Sequence, residues 1–274
     1  MEEVIIAIPT INNLQYLKKC IESICCSFPY ELLVVDNGST DETLSWLKEN
    51  KIPHIHHDKN FGCSYANNEA MEYSFSKNKL VFIIHNDVIL HKNCLDNLYR
   101  GLTETRDFDL LFALEHLTGR VNREVMKEFR YNYIFDKDNK GLPNEKTIEY
   151  TGAKASRGIN FTVRAIRKTA VEKVGYFDVN YFPAYFEDND YGLRCILGKV
   201  NVGIVQAARY YHFWSRSIHE GGVGTLNSKY FGANQTFYNR KWGGAIGKET
   251  ILDPNIKLFR TREEDYELIK NKVI

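Results

Sequence analysis

Short apolar runs alternate with amphipathic stretches through the first third of this 274-residue chain. That alternation constrains the fold more than any other feature. Val4 to Ile8 has the pattern of a strand, after which Leu14, Leu17, Ile21, Ile24 and Phe28 recur at helical spacing, with Asn12 or Asn13 available as N-cap. Leu32 to Val35 predicts a second strand, Asp41 to Glu49 a second helix, Ile52 to Ile55 a weak third strand and Cys63 to Phe75 a third helix. Leu80 to Ile84 is apolar without a break, the pattern of a strand buried on both faces. Strand and helix in turn imply βαβ units with right-handed crossovers. The expected fold class is therefore α/β, a Rossmann-like, mostly parallel sheet flanked by helices.

Ligands of such sheets bind outside the carboxyl ends of the strands. Here those ends carry Pro9-Thr10, Asp36-Asn37-Gly38 and His85-Asn86-Asp87. Fold logic alone thus brings three polar clusters to one edge. The rest of the chain reads differently. From Leu117 to Tyr150 it is charged and aromatic with little periodicity, which suggests an excursion beside the site. A short helix is expected near Lys168 to Val174, and the tail from Ser228 begins helical and ends charged. The expected organisation is a ligand-binding half over residues 1–115, a second half over 116–227, and a C-terminal helical, charged extension over 228–274.

Composition excludes several classes. Hydrophobic residues make up 43%, enough for a sizeable core, and 36 basic against 35 acidic residues leave a formal charge of +1, against a dedicated nucleic-acid binder. No apolar run approaches the roughly 20 residues of a membrane span. The acidic N-terminus has no signal-peptide pattern, so the expected location is cytoplasmic, with peripheral placement at the inner membrane face allowed. No pair among Cys20, Cys25, Cys26, Cys63, Cys94 and Cys195 has CxxC spacing, and these residues read as small core hydrophobes.

Asp36 follows four apolar residues, so its carboxylate is expected to emerge at the ligand edge. Asn37-Gly38 suits a tight turn, and Ser39 with Glu42 has the spacing of a capping box. Asp87 follows the most apolar strand and could hold a divalent cation. Glu187-Asp188-Asn189-Asp190 sets three carboxylates beside Tyr185, Phe186 and Tyr191, whose apolar wall suits a general base. The same acids would also favour a helix N-terminus. His212, among aromatics, reads as a core histidine or a ligand, and His54, His56 and His57 as a surface cluster on an edge strand.

In this order, Ile8-Pro9-Thr10, Asp36 to Asp41, Asn60-Phe61-Gly62, His85-Asn86-Asp87 and Glu187 to Asp190 resemble the inverting glycosyltransferases of family two, over roughly Val4 to Gly244. The resemblance implies a GT-A fold and a UDP- or dTDP-sugar donor. It implies a nucleotide pocket lined by Pro9, Thr10, Asp36, Asn60, Gly62 and Asn86, with Asp36 bonded to the imide N–H of the base. Mn²⁺ or Mg²⁺ would sit on Asp87, with His212 completing its site. Asp188 would be the catalytic base, with Glu187 beside it in acceptor positioning. The segment from Tyr238 to Gly244 also resembles family tails, where a basic stretch approaches the diphosphate. His85 departs from the family pattern, standing where an acid usually begins the metal triplet.

The implied reaction is a single displacement with inversion, in which a glycan or related polymer hydroxyl attacks and a nucleoside diphosphate leaves. Polysaccharide biosynthesis is the expected setting, and the segment from Leu117 to Arg164 is expected to select the acceptor. Two other readings compete. A sugar-phosphate nucleotidyltransferase would carry a Gly-rich basic loop after the first strand, where this chain has Pro9-Thr10-Ile11-Asn12-Asn13. A non-catalytic nucleotide-sugar-binding relative would have lost its metal, and the intact Glu187-Asp188 pair argues against it.

Overall fold

The computed structural model describes residues 2–105, 108–115, 148–149, 161–213, 224–252 and 257–272. Most of the expected excursion from Leu117 to Tyr150 lies outside the described residues. The N-terminal part runs β1 (Val4–Thr10), α1 (Leu14–Glu22), β2 (Tyr30–Asn37), α2 (Thr43–Glu49), β3 (His54–His57), α3 (Cys63–Ser76), β4 (Leu80–Ile84), β5 (Val88–Leu90), α4 (Cys94–Thr105) and β6 (Leu110–Glu115). There follow β7 (Ile148–Glu149), β8 (Val163–Ile166), α5 (Lys168–Val174), α6 (Glu187–Leu197), β9 (Val202–His212), α7 (Gly224–Trp242) and α8 (Arg262–Ile269).

All nine described strands join one sheet in the order β3-β2-β1-β4-β8-β6-β9-β5, with β7 paired to β9. The pairs β1–β2, β1–β4 and β2–β3 are parallel, as βαβ alternation requires. Beyond β4 the sheet is mixed. β8 runs antiparallel to β4 and β6, β9 runs parallel to β6, and β5 is antiparallel to β9. Strands from both the first and second expected halves therefore interleave in one sheet.

The period-2 geometry of β1 explains its unbroken apolar sequence. Val4, Ile6 and Ile8 pack on one face with Leu17, Cys20, Leu47, Leu95 and Leu98. Ile5 and Ala7 pack on the other with Ala66, Ala70, Met71, Val171 and Cys195. Each buried aliphatic side chain contributes about 1.5–3 kcal/mol, so helices on both faces hold the sheet. Two expected caps are replaced by tertiary contacts. The Ser39–Glu42 capping box does not form, because the Ser39 hydroxyl accepts from the Asn12 N–H at 2.7 Å and α2 opens at Thr43 without a side-chain cap. Asn13 precedes α1 in left-handed backbone, which asparagine tolerates, and Asp41 Oδ2 accepts from the Leu14 N–H at 3.2 Å. The loops after β1 and β2 are thereby tied together at the ligand edge.

Candidate active site

A three-residue cluster forms where β4, β5 and β9 meet. The antiparallel pairing of β5 with β9 sets His212 opposite Val88, next to Asp87. His212 Nε2 is 3.2 Å from Asp87 Oδ1, and the Phe213 N–H donates to the Asp87 carbonyl at 2.9 Å. His85 joins them: one ligand atom from each of His85, Asp87 and His212 lies within 4.8 Å of the others. Burial, and then the nearby Arg164 guanidinium, push the His85 imidazole down to about 3, so the ring stays neutral and keeps a lone pair. Two imidazoles and a carboxylate are a competent donor set for a divalent transition metal. The departure at His85 thus adds a nitrogen donor rather than simply removing an acid.

Asn86 is tied to the first strand, its Nδ2 donating to Thr10 Oγ1 at 2.8 Å. Thr10 is buried and Pro9 half-buried at the end of β1. Asp36 differs from expectation: it sits at the predicted edge, but its side chain is 0% exposed and both oxygens are engaged. Asn60 and Gly62 build the adjacent loop. Asn37 Nδ2 donates to Asn60 Oδ1 and to the Gly62 carbonyl, each at 3.1 Å, and Asn37 Oδ1 accepts from the Phe61 N–H at 3.0 Å. Gly62 has φ +88°, and a Cβ there would meet Phe182 at 3.0 Å and the Pro183 carbonyl at 3.1 Å.

The acidic motif opens α6, with Glu187, Asp188 and Asp190 in the first turn. Their environments separate them. Asp190 is fully buried and saturated: it accepts from Tyr181 at 3.1 Å, Trp242 Nε1 at 2.9 Å and Arg194 Nε at 2.9 Å, and pairs with Lys241 at 2.6 Å. It is a structural hub. Asp188 is half-buried. Burial raises its carboxyl to about 6 although Arg164 pulls the other way. Glu187 is buried, and burial together with the Asp188 charge drives it well above the ordinary carboxylate range. Its Oε2 has no hydrogen-bond partner among the described residues. Burial therefore raises both neighbouring carboxyls above the ordinary range, the kind of perturbation that acid–base sites use.

Arg164 went unnoticed in the sequence. It stands on the central strand β8, between Ile83 of β4 and Phe112 of β6, and is 0% exposed. Its Nη2 donates to Asn67 Oδ1 at 2.7 Å and its Nη1 to the Phe161 carbonyl, and the guanidinium lies over the rings of Phe161 and Phe177 at 5.7 and 5.4 Å. Among the described residues it makes no ion pair, and its Nε has no partner. A buried charge is costly unless compensated. The groups that act on it electrostatically are led by Asp188 and include Glu187. A lone arginine in an otherwise apolar strand is the signal that could have found it.

Within the basic stretch of the tail, Arg240 is exposed. Lys241 is committed inward, to Asp178 at 2.8 Å and Asp190 at 2.6 Å. The same helix braces the turn before α6. Tyr185 and Phe186 both adopt left-handed backbone, with φ +75° and +73°, which strains such residues. Asn234 Nδ2 donates to the carbonyls of Phe182 at 3.1 Å and Ala184 at 2.9 Å, holding that turn. α7 thus positions the acidic motif from behind. The three histidines of β3 do form an edge-strand cluster, with His57 bonded to Glu69 at 2.6 Å and His54 to the Ile52 carbonyl at 2.7 Å.

Acids and imidazoles thus gather at the carboxyl edge of a mixed α/β sheet, the edge where such folds bind ligands. The chain belongs to Glycosyl transferase family 2, whose family model matches residues 5–174. It is 25% identical over 262 residues to the poly(ribitol-phosphate) beta-N-acetylglucosaminyltransferase TarP of Staphylococcus aureus, covering 90% of this chain and 75% of that one. The structure of S. aureus TarS 1–349 in complex with UDP is similar in fold, with TM-score 0.57 and 18% identity over 90% of this chain and 74% of that chain. So is the mannosyltransferase PcManGT of Pyrobaculum calidifontis in complex with GDP-Man and Mn²⁺, with TM-score 0.57 and 13% identity over 98% and 73%. The chain spans between 39% and 75% of the length of the first three curated relatives. No described helix is long and apolar enough to cross a membrane.

Proposed function

We propose that this chain transfers a sugar from a UDP- or dTDP-sugar to a hydroxyl of a glycan or related polymer, with inversion. One observation carries the reading. His85 and Asp87, two residues apart, and His212, far along the chain, converge within 4.8 Å at the sheet edge that also carries Pro9, Thr10 and Asn86. Family membership and the UDP bound to TarS support a nucleotide-sugar donor, and the poly(ribitol-phosphate) acceptor named for TarP supports a polymer acceptor. In this account residues 1–115 hold the nucleotide, 116–227 the acceptor and the catalytic groups, and 228–274 brace them.

Asp87, His85 and His212 would hold Mn²⁺ or Mg²⁺. When bound there, such a cation supplies countercharge to the departing diphosphate. Asp188 accepts the proton of the acceptor hydroxyl as that oxygen attacks the anomeric carbon. Its raised affinity for protons matches a base that works near neutrality. Glu187, whose carboxyl is pushed above the ordinary range by burial and by Asp188, stands beside it to orient the acceptor. Pro9, Thr10, Asp36, Asn60, Gly62 and Asn86 shape the nucleotide pocket.

Incubation with UDP- and dTDP-sugars, a glycan or polyol-phosphate acceptor and Mn²⁺ tests the reading. Release of free nucleoside diphosphate together with an inverted glycoside is the expected result. Pyrophosphate chemistry, or binding without turnover across such a panel, would overturn it.

A further inference from the structure

The N-terminal part of α7 stands beside the site. Residues 213–223 alone connect His212, at the end of β9, to Gly224, where α7 begins. Tyr230 packs edge-on against Phe182 at 5.4 Å, and Phe182 is the ring that a Cβ at Gly62 would meet. The next residue, Phe231, meets both Tyr185 and Phe186 with ring centroids 5.3 Å apart. Those two residues lead directly into Glu187 and Asp188 at the start of α6. This turn of α7 therefore lies between the loop of Asn60 and Gly62 and the acidic motif.

Phe231 is 43% exposed, which is unusual for a ring so close to a buried acid pair. Nothing crowds it from the helix: a Cβ added at Gly232 would meet no atom within 4 Å, and Ala233 is exposed. Gln235, also exposed, follows one turn later on the same face. The partner ring is held at a cost. Tyr185 has φ +75°, and a bulky residue keeps such backbone only where its surroundings enforce it, as ligand-binding sites often do. Asn234 enforces it here through the carbonyls of Phe182 and Ala184. The result is an open aromatic surface with an amide at its edge. A pyranose ring matches both parts: the C–H groups of one face suit the negative face of an aromatic ring, and its hydroxyls form a polar rim. An open-chain polyol phosphate has no such face.

We propose that Phe231, with Tyr185 beside it, is the surface on which a pyranose ring of the acceptor stacks. The acceptor is then a glycan whose accepting hydroxyl belongs to, or adjoins, a hexopyranose, and not a polyol phosphate. The inference rests on the transferase reading and deepens it by naming the acceptor class. Stacking leaves the rim hydroxyls facing the start of α6, where Asp188 stands, and within reach of the Gln235 amide. Phe231 selects the acceptor and takes no part in the proton transfer.

Initial rates of the full chain with UDP- and dTDP-sugars, Mn²⁺ and two acceptor sets test this. One set holds oligosaccharides of glucose, galactose and N-acetylglucosamine in pyranose form, the other ribitol-phosphate oligomers. Turnover of the pyranose set is expected, with ribitol phosphate used poorly. Phe231→Ala is expected to raise the acceptor KM by about 2–10-fold, more than it lowers kcat, while UDP affinity stays as in the parent. Phe231→Leu keeps apolar bulk against Phe186 but loses the ring, and is expected to lose as much as alanine. Phe231→Trp keeps a ring and is expected to hold the parent KM. A packing role alone would be met by leucine, so a Phe231→Leu chain with the parent KM overturns the proposal. So does a folded Phe231→Ala chain with an unchanged KM, or turnover of ribitol phosphate alone; in each case transfer still occurs and the transferase reading stands. If neither set is turned over, that reading fails and this inference fails with it.

Discussion

His212 Nε2 lies 3.2 Å from Asp87 Oδ1, although 125 residues separate them in sequence. The contact exists because β5 and β9 pair antiparallel at the far end of the sheet. With His85 close by, the cluster has two nitrogen donors and one carboxylate.

That donor set predicts a metal preference. Imidazole favours transition metals, whereas Mg²⁺ prefers an all-oxygen shell. Turnover should be lost in EDTA and restored better by Mn²⁺ than by Mg²⁺. His212→Ala and His85→Ala should each raise the Mn²⁺ concentration needed for half-activity by about tenfold or more, the scale seen when groups supporting a metal are removed. Unchanged activity in EDTA would show that no cation is needed, and an effect of His212→Ala alone would remove His85 from the site.

Arg164 should set the pH dependence. If Asp188 is the base, it acts when ionised, so kcat rises with pH through about 6. The Arg164 charge lowers that carboxyl, opposing burial. Arg164→Met removes the lowering influence, so the acid limb should move to higher pH by about one pH unit, and kcat at pH 6 should fall. Arg164→Lys should hold the limb nearer its original place. The measurement is kcat against pH for the three proteins; a limb that stays put in a folded Arg164→Met enzyme would show that the arginine serves packing alone.

Lys241 should matter for stability. Its ammonium joins two buried acids, Asp178 and Asp190. Lys241→Met leaves those charges short of a partner and should cost about 3 kcal/mol in urea unfolding at pH 7. The sign of the pH effect follows from Asp178. Burial would raise its carboxyl, but Lys241 and Arg260 outweigh burial and hold it below the ordinary range. A carboxyl lowered in the folded state stabilises above its unfolded value and loses that contribution as pH falls. The parent should therefore weaken through the acid range, and the variant, less stable at pH 7, should show a smaller further loss. A variant as stable as the parent would show that the pair contributes nothing net.

The part of this architecture that was legible in the sequence is the part built by local periodicity. β1, β2 and β4 are apolar runs followed by polar residues, and those polar residues do stand at one edge. Ser39 and Glu42 misled because a capping box is a local pattern, while the Ser39 hydroxyl serves Asn12 on another loop. Lys241 belongs to a basic stretch in the sequence, and only the fold shows that two buried acids from distant segments hold it. Arg164 carries no motif and is one charged residue in an apolar strand. The antiparallel insertion of β8 could not be read either, since it depends on how the chain returns after residue 115.

The central claim is that Asp188 takes the proton from the acceptor, and steady-state kinetics of Asp188→Asn beside donor affinity tests it most directly. Asparagine keeps the shape of the side chain but cannot accept that proton. General-base catalysis supplies about 10²–10⁴-fold, so kcat should fall by about that factor while UDP binding stays close to that of the parent. Glu187→Gln should instead change kcat and KM together. A folded Asp188→Asn enzyme that turns over within a few-fold of the parent would contradict the account. Asp190 could not then take the role, because Tyr181, Trp242, Arg194 and Lys241 already occupy its oxygens.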